Sequence, residues 1–93
     1  MEPKRFQSLE EVERWLEENP DEVGRHILES WRYLLENDLS RQPIVQCDEV
    51  SVTAEKHQAE GGIQALMESA VGREDYELAQ RIKDLQEEFS FSE

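Results

Sequence analysis

The sequence predicts an all-α fold, in which residues 1–93 form one small bundle of four to five short helices that ends in a helical hairpin. Three observations lead to this prediction. Apolar residues recur at spacings of three and four along most of the chain. Signals for helix starts precede these runs. β-branched residues cluster only in the segment 41–53, which is expected to be an irregular or short β connection.

The first helix is predicted over residues 8–18. Ser8 and Glu11 have the spacing of a capping box, in which each side chain accepts a hydrogen bond from the other residue's backbone amide. The proline at position 20 disfavours helical geometry at Asn19 and ends the helix there. The predicted apolar stripe of this helix consists of Leu9, Val12, Trp15 and Leu16.

The second helix is predicted over residues 20–39. Pro20 suits the first helical turn, and Asp21 and Glu22 lie at the positive end of the helix dipole. Pro43 sets the outer limit of the helix. Its apolar stripe is predicted to contain Val23, Ile27, Trp31, Leu34 and Leu35.

The connection at residues 41–53 allows two interpretations. Its two β-branched runs, 43–45 and 50–53, are spaced to form a small hairpin around Cys47. They also suit an extended connection whose valines fill the helical core. A lone two-stranded hairpin is only marginally stable in water, so the extended connection is favoured.

The last two helices are predicted over residues 54–71 and 74–89. A break is expected at Gly61-Gly62, because glycine inside a helix costs roughly 1 kcal/mol relative to alanine. Gly72 is expected to supply a left-handed C-cap to the third helix. The fourth helix is predicted to place Tyr76, Ala79, Ile82, Leu85 and Phe89 on one face.

Residues 63–89 resemble the UVR motif, a short helical hairpin found in the repair proteins UvrB and UvrC, in ClpC-type ATPases and in McsA-type adaptors. The resemblance is carried by the steps Asp75-Tyr76-Glu77 and Ile82-Lys83-Asp84, with Ala79 between them. It covers about a quarter of the chain and implies that the hairpin is an interaction device. Met67 and Val71 fall where the first helix of the motif packs. The sequence departs from the family pattern at Glu74, Gln80 and Gln86.

Charge limits the class of partner. The chain has 10 Lys and Arg residues against 23 Asp and Glu residues, which gives a net charge of −13. Direct nucleic-acid binding is therefore not expected, because it needs clustered cations that displace counterions from phosphates. An acidic surface instead favours association with a basic one.

No catalytic, metal or cofactor site is predicted, and the protein is not expected to be an enzyme. Cys47 is the only cysteine, which excludes an internal disulfide and a cysteine zinc cluster. The two histidines, His26 and His57, are interpreted as surface residues, since neither has a glutamate three positions before it as bundle metal sites require. No set of nucleophile, base and orienting group is visible.

The sequence also gives an expectation for the compartment. No apolar run is long enough to span a membrane, and the first residues lack the apolar segment of a secretory signal. A single free thiol in such a chain fits the cytoplasm.

These observations predict a non-enzymatic, acidic protein–protein interaction module, an adaptor or assembly subunit that docks through the faces of its helical hairpins. Its expected partner is a protein with a basic or apolar groove, or a second copy of the chain. The alternative is a small acidic inhibitor of the DNA-mimic or immunity type, of phage or cellular origin, that blocks a basic site on a nucleic-acid enzyme. The candidate partner-binding residues are Trp15, Trp31, Tyr33, Met67, Tyr76, Glu77, Ile82, Asp84 and Phe89.

Overall fold

This computed structural model describes residues 1–89, in which a short strand, two helices, two further strands and two further helices follow one another. The prediction of an all-α fold was wrong: the fold is α+β, with four α-helices and a three-stranded mixed sheet. None of these helices is both long and apolar enough to cross a membrane. The elements in chain order are β1 (Lys4–Arg5), α1 (Leu9–Glu18), α2 (Pro20–Glu36), β2 (Arg41–Gln46), β3 (Ser51–Glu55), a short 3₁₀-helix (Lys56–Gln58), α3 (Ala59–Gly72) and α4 (Tyr76–Glu88). The helix predicted over residues 54–71 therefore begins only at Ala59, because Ala54 and Glu55 pair with β2.

The sheet has the strand order β1-β2-β3. Strand β1 runs parallel to β2, and β2 runs antiparallel to β3 with Gln42 opposite Ala54. The register shifts between Pro43 and Val45, which leaves Ile44 in a bulge. The segment predicted as an extended connection is therefore a β-hairpin.

The hairpin is stable because other elements of the folded chain pack against it. Helix α2 packs against β2, and the His26 Nε2 atom lies 2.7 Å from the Ile44 carbonyl oxygen, to which it donates. On the other side, β1 adds a third strand, and the Phe6 amide donates to the Gln46 carbonyl at 2.9 Å. Three strands with a covered face are stable where two are marginal. Lys4 and Arg5 gave no signal for a strand, because both are charged.

The core includes both tryptophans. Trp15 is 6% exposed and Trp31 is 5% exposed. Apolar residues from α1, α2, the β2–β3 hairpin and the α3–α4 hairpin complete one continuous cluster around them. Its fully buried large members are Leu28, Leu34, Ile63, Leu78, Ile82 and Leu85.

The break predicted at Gly61-Gly62 was wrong, because α3 runs through both glycines without interruption. Gly62 faces the indole of Trp31. A Cβ atom placed there would lie 3.1 Å from the Trp31 Cε2 atom and closer still to Cζ2. The missing side chain thus lets a large aromatic ring pack against the helix backbone, and this contact outweighs the low helix propensity of glycine.

The left-handed residue after α3 is Glu74, with φ of 59°, and not Gly72 as the sequence suggested. The Asp75 amide donates to the Ala70 carbonyl at 2.9 Å and closes the helix end. Helix α2 ends in the same way, with Asp38 at φ of 51° and the Leu39 amide bonded to Leu34. Both ends therefore use a geometry that disfavours residues with a Cβ atom.

Replacing Glu74 by glycine is expected to stabilise the protein by about 1 kcal/mol, because glycine adopts the left-handed conformation without steric strain. Urea denaturation compared with the wild-type protein measures the difference. Asp38→Gly is the control: it relieves the same strain but loses the ion pair of Asp38 with Lys56, so its gain should be smaller. Equal or lower stability of the Glu74→Gly variant would contradict the interpretation.

Glu22 joins β1, α1 and α2. Its carboxylate accepts a hydrogen bond from the Trp15 indole nitrogen and lies 3.7 Å from the Lys4 ammonium nitrogen. The same ammonium group lies 5.8 Å from the centre of the Trp15 ring. The indole hydrogen bond, followed by the charge of Lys4, holds the pKa of Glu22 below its ordinary value of 4.5.

Because the pKa of Glu22 is lower in the folded state, its ionised form stabilises the fold above about pH 4.5, and this contribution disappears as the pH falls through the lower folded pKa. The stability difference between wild type and Glu22→Gln should therefore shrink from pH 7 to pH 3. Thermal unfolding at each pH measures it. The control is Glu29→Gln, which removes an exposed carboxylate of the same helix that is in no ion pair within residues 1–89. A pH-independent difference for Glu22→Gln would refute this role.

Candidate protein-interaction surface

Two turns meet at one end of the molecule, the α1–α2 turn and the α3–α4 turn. Arg73 joins them: its Nη1 atom donates to the Pro20 carbonyl at 3.3 Å, and its Nη2 atom donates to Asp21 Oδ1 at 2.8 Å. We call residues 16–21 and 71–77 together the two-turn surface. These contacts connect its two halves.

A close contact between helices α2 and α4 supports this arrangement. Gly24 of α2 is buried, and a Cβ atom there would lie 2.6 Å from Leu78 Cδ2 of α4. The absence of a side chain lets the two helices approach closely. Arg25 adds an ion pair with Glu77 at 3.4 Å.

Three large apolar side chains of the two-turn surface are exposed. Leu16 is 46% exposed, Val71 is 49% exposed and Tyr76 is 64% exposed. They are half of the six large apolar residues that are exposed among residues 1–89. Exposed apolar side chains among polar residues are typical of a protein interaction site.

The charge around these residues is strongly negative. The two-turn surface contains six carboxylates and one guanidinium group, that of Arg73. Asp21 and Asp75 share that guanidinium, and Glu77 pairs with Arg25. Glu17, Glu18 and Glu74 are exposed and form no ion pair with any residue from 1 to 89. Their charges remain available to a partner.

The placement of Glu17 and Glu18 is not explained by folding. Both lie in the last turn of α1, where the helix dipole disfavours negative charge, and no basic residue is present in that turn. Residues that work against local stability are expected chiefly at functional sites. Their position therefore strengthens the case for this surface.

The residues that the sequence predicted as partner contacts lie in different parts of the structure. Trp15, Trp31 and Ile82 are buried in the core. Met67 and Phe89 are partly buried against it. The apolar faces of the α3–α4 hairpin likewise pack within the chain, so its free apolar groups are at its tip.

The remaining nominated residues are at the surface. Tyr33 is 38% exposed on α2, and Asp84 is exposed on α4, where it accepts a hydrogen bond from Gln80 at 3.0 Å. Only Tyr76 and Glu77 lie together on the two-turn surface.

Sequence reasoning did not nominate Leu16, Val71 or Arg73 as partner contacts. Leu16 and Val71 matched apolar stripes and were assigned to packing. The sequence did contain a signal that Leu16 faces away from the core. Leu16 follows Trp15 directly, and consecutive residues point about 100° apart around a helix. Arg73 carried no signal for joining the two turns, because Pro20 and Asp21 lie more than 50 residues away from it.

His26 and Cys47, the side chains considered for a metal or catalytic site, contact neighbouring residues in the structure. His26 is half-buried and packs edge-on against Trp15, with 5.9 Å between ring centres, so its interpretation as a surface residue was wrong. Cys47 is half-buried beside Arg5, Phe6 and Asp48 at the rim of a shallow depression. Among residues 1–89, no three His, Cys, Asp or Glu side chains are arranged to hold a metal ion.

Comparison with protein-family models, curated proteins and solved structures gives no match for this chain. The resemblance of residues 63–89 to the UVR motif stays a prediction. In the structure, Asp75 caps α4 by accepting from the Leu78 amide at 3.2 Å. Tyr76 points to solvent and Glu77 pairs with Arg25.

Proposed function

We propose that this protein is a non-enzymatic interaction module, an adaptor or assembly subunit, that docks its two-turn surface onto a basic protein with an apolar recess. One observation carries the proposal: Leu16, Val71 and Tyr76 are exposed on a surface whose carboxylates outnumber its cations six to one. Tyrosine is enriched among the residues that dominate binding energy, and complementary charge steers association.

The rigidity of the two-turn surface also supports docking. Arg73 ties the two turns together, and the close contact at Gly24 fixes α4 against α2. A surface that is already ordered loses less conformational entropy when it binds. The resemblance to the UVR motif is consistent with this proposal, since that motif is an interaction hairpin.

We place the module in the cytoplasm as part of the same proposal. The half-buried Cys47 is in no disulfide, and free thiols persist in reducing compartments.

The experiment is affinity capture from host lysate with three baits: the wild-type protein, Tyr76→Ala and Tyr33→Ala. Tyr33 is the matched control, because it is an exposed tyrosine outside the two-turn surface. We expect one protein to be retained by wild type and Tyr33→Ala and lost from Tyr76→Ala. With that protein purified, Tyr76→Ala should bind at least about tenfold more weakly, the loss typical of a central aromatic contact.

Unchanged melting temperatures would show that both variants fold. A partner that binds Tyr76→Ala as tightly as wild type would refute the role of the two-turn surface. A partner lost equally from both tyrosine variants would refute it as well.

A second candidate function is inhibition of a nucleic-acid enzyme by occupation of its basic groove. The observation that favours it is the outer face of α1, where Glu10, Glu13, Glu17 and Glu18 are all exposed around a single Arg14. Along the helix axis these four carboxylates are separated by about 4.5, 6 and 1.5 Å, a mean of about 4 Å, against about 3.4 Å between phosphates along one DNA strand.

The two candidates differ in what disrupts binding. An inhibitor of this type should be displaced by duplex DNA, and its affinity should fall steeply with salt. The double variant Glu13→Gln/Glu17→Gln should weaken it more than Tyr76→Ala does. Binding that resists both DNA and salt would refute the inhibitor function and leave the interaction module.

A further inference from the structure

Strand β3 forms an open edge of the sheet, since its only neighbour within residues 1–89 is β2. The Lys56 amide bonds to the Ser40 carbonyl at 2.9 Å, and the Cys47 amide bonds to the Val50 carbonyl at 2.9 Å. Bonded and non-bonded pairs alternate in an antiparallel ladder. Val52 and Ala54 therefore bond to β2, and alternate residues point their amides and carbonyls away from the sheet.

The outward residues of β3 are Ser51, Thr53 and Glu55. Their three amides, and the carbonyls of Ser51 and Thr53, form no backbone hydrogen bond outside the sheet ladder in the described chain, whereas Glu55 is the N-cap of the following 3₁₀-helix. One further strand would satisfy this whole row of donors and acceptors.

The two edges of this sheet differ in their protection. The β1 edge is two residues long and consists of Lys4 and Arg5, and short charged edges resist pairing with other strands. Strand β3 has five residues with no lysine, no proline and no bulge of its own. Beside this edge Val52 is 45% exposed, although its partner Val45 is buried. The β3 edge therefore lacks these protections and offers an apolar contact to another strand.

We propose that the free edge of β3 binds an extended basic segment of the partner protein, which adds as a fourth strand. Acids lie at both ends of β3: Asp48 and Glu49 precede it, and Glu55 ends it. None of the three forms an ion pair with a residue from 1 to 89, and Lys56 at the far end is held by Asp38. A second copy of the chain would bring these acids, and two net charges of −13, against each other.

The inference adds a second contact to the partner of the proposed function and rests on that function, but it has its own probe. The probe is a synthetic peptide of seven alternating lysines and valines, blocked at both ends. Added to the isotope-labelled full chain, it should slow amide hydrogen exchange at Ser51, Thr53 and Glu55 more than at other residues. Val52 and Ala54 should change little, because their amides are already bonded to β2.

The test variant is Thr53→Pro, which removes one outward amide and leaves the bonds to β2 in place, as proline does at edge positions. Thr53→Val is the matched control that keeps the amide. We expect Thr53→Pro to bind the peptide at least tenfold more weakly than Thr53→Val. A peptide with alternate backbone amides methylated should lose binding to the wild-type chain, and this result does not depend on the variant folding.

Three results would overturn the inference. The first is no binding, or binding with protection elsewhere, for example along the glutamates of α1. The second is equal affinity of Thr53→Pro and Thr53→Val. The third is protection of the same amides that grows with protein concentration without peptide, which would assign the edge to a second copy. If capture of the partner still depends on Tyr76 in any of these cases, the proposed function stands. If the Tyr76→Ala variant captures the partner as well as wild type does, and the β3 edge binds the peptide, only the proposed function fails.

Discussion

The Gly62→Ala variant is expected to be less stable than the wild-type protein by about 1–3 kcal/mol, the range for overpacking a filled core. Alanine is the better helix former, so propensity alone predicts the opposite sign. The new methyl group would overlap the indole of Trp31, whose Cε2 atom would lie 3.1 Å away. An indole is rigid and this one is buried, so the helix or the ring must move.

Gly61→Ala is the matched control, one residue earlier in the same helix. Apart from its own helix turn, no atom of residues 1–89 lies within 4 Å of the position that its Cβ atom would take, and the residue is exposed. This variant should be more stable than wild type by about 0.5–1 kcal/mol. Urea denaturation followed by tryptophan fluorescence measures both free energies of unfolding. If the two variants shift stability in the same direction, the contact between Gly62 and Trp31 is not as described.

Ile82→Ala is expected to lower the free energy of unfolding by about 2–5 kcal/mol, because it deletes buried carbon atoms and leaves a cavity. A chain of this length has a total stability of roughly 5–14 kcal/mol, so the loss is a large share of it. The reason is burial: Ile82 has no exposed surface and packs in the core beside residues of the same helix and its neighbours.

Tyr76→Ala gives the contrast, since Tyr76 lies on the same helix but is 64% exposed. Its stability should stay within about 0.5 kcal/mol of wild type. The sequence predicted both residues as partner contacts. Thermal and urea unfolding of the two variants therefore show which of them is a core residue and which is a surface residue. A stable Ile82→Ala variant, or a strongly destabilised Tyr76→Ala variant, would mean that the α3–α4 hairpin packs differently.

The helical segments could be read from the sequence because their signals are local. Ser8 accepts a hydrogen bond from the Glu11 amide at 3.3 Å, as the capping pattern predicts. Pro20 begins α2, where its missing amide does no harm. Each of these features depends on residues a few positions apart, so it does not depend on how the rest of the chain packs.

The candidate site was predictable only in part. Tyr76 and Glu77 were nominated through the resemblance of their segment to a known hairpin, and both lie on the two-turn surface. The tryptophans were nominated because a large aromatic residue in a polar chain suits either a core or an interface. Periodicity gives the face of a helix that is apolar, but it does not say whether the same chain covers that face.

The amino-acid sequence by itself determined where α1, α2 and α4 form, how α1 and α2 begin and how acidic the molecule is, because these properties follow from neighbouring residues and from composition. The tertiary structure decided the sheet, since β1 and β2 pair across 41 residues and an isolated two-stranded hairpin is only marginally stable. It also decided that Gly62 belongs inside a helix and that Leu16 does not belong inside the core. Both outcomes depend on contacts between distant segments, and their energies exceed the local preferences that the sequence displays.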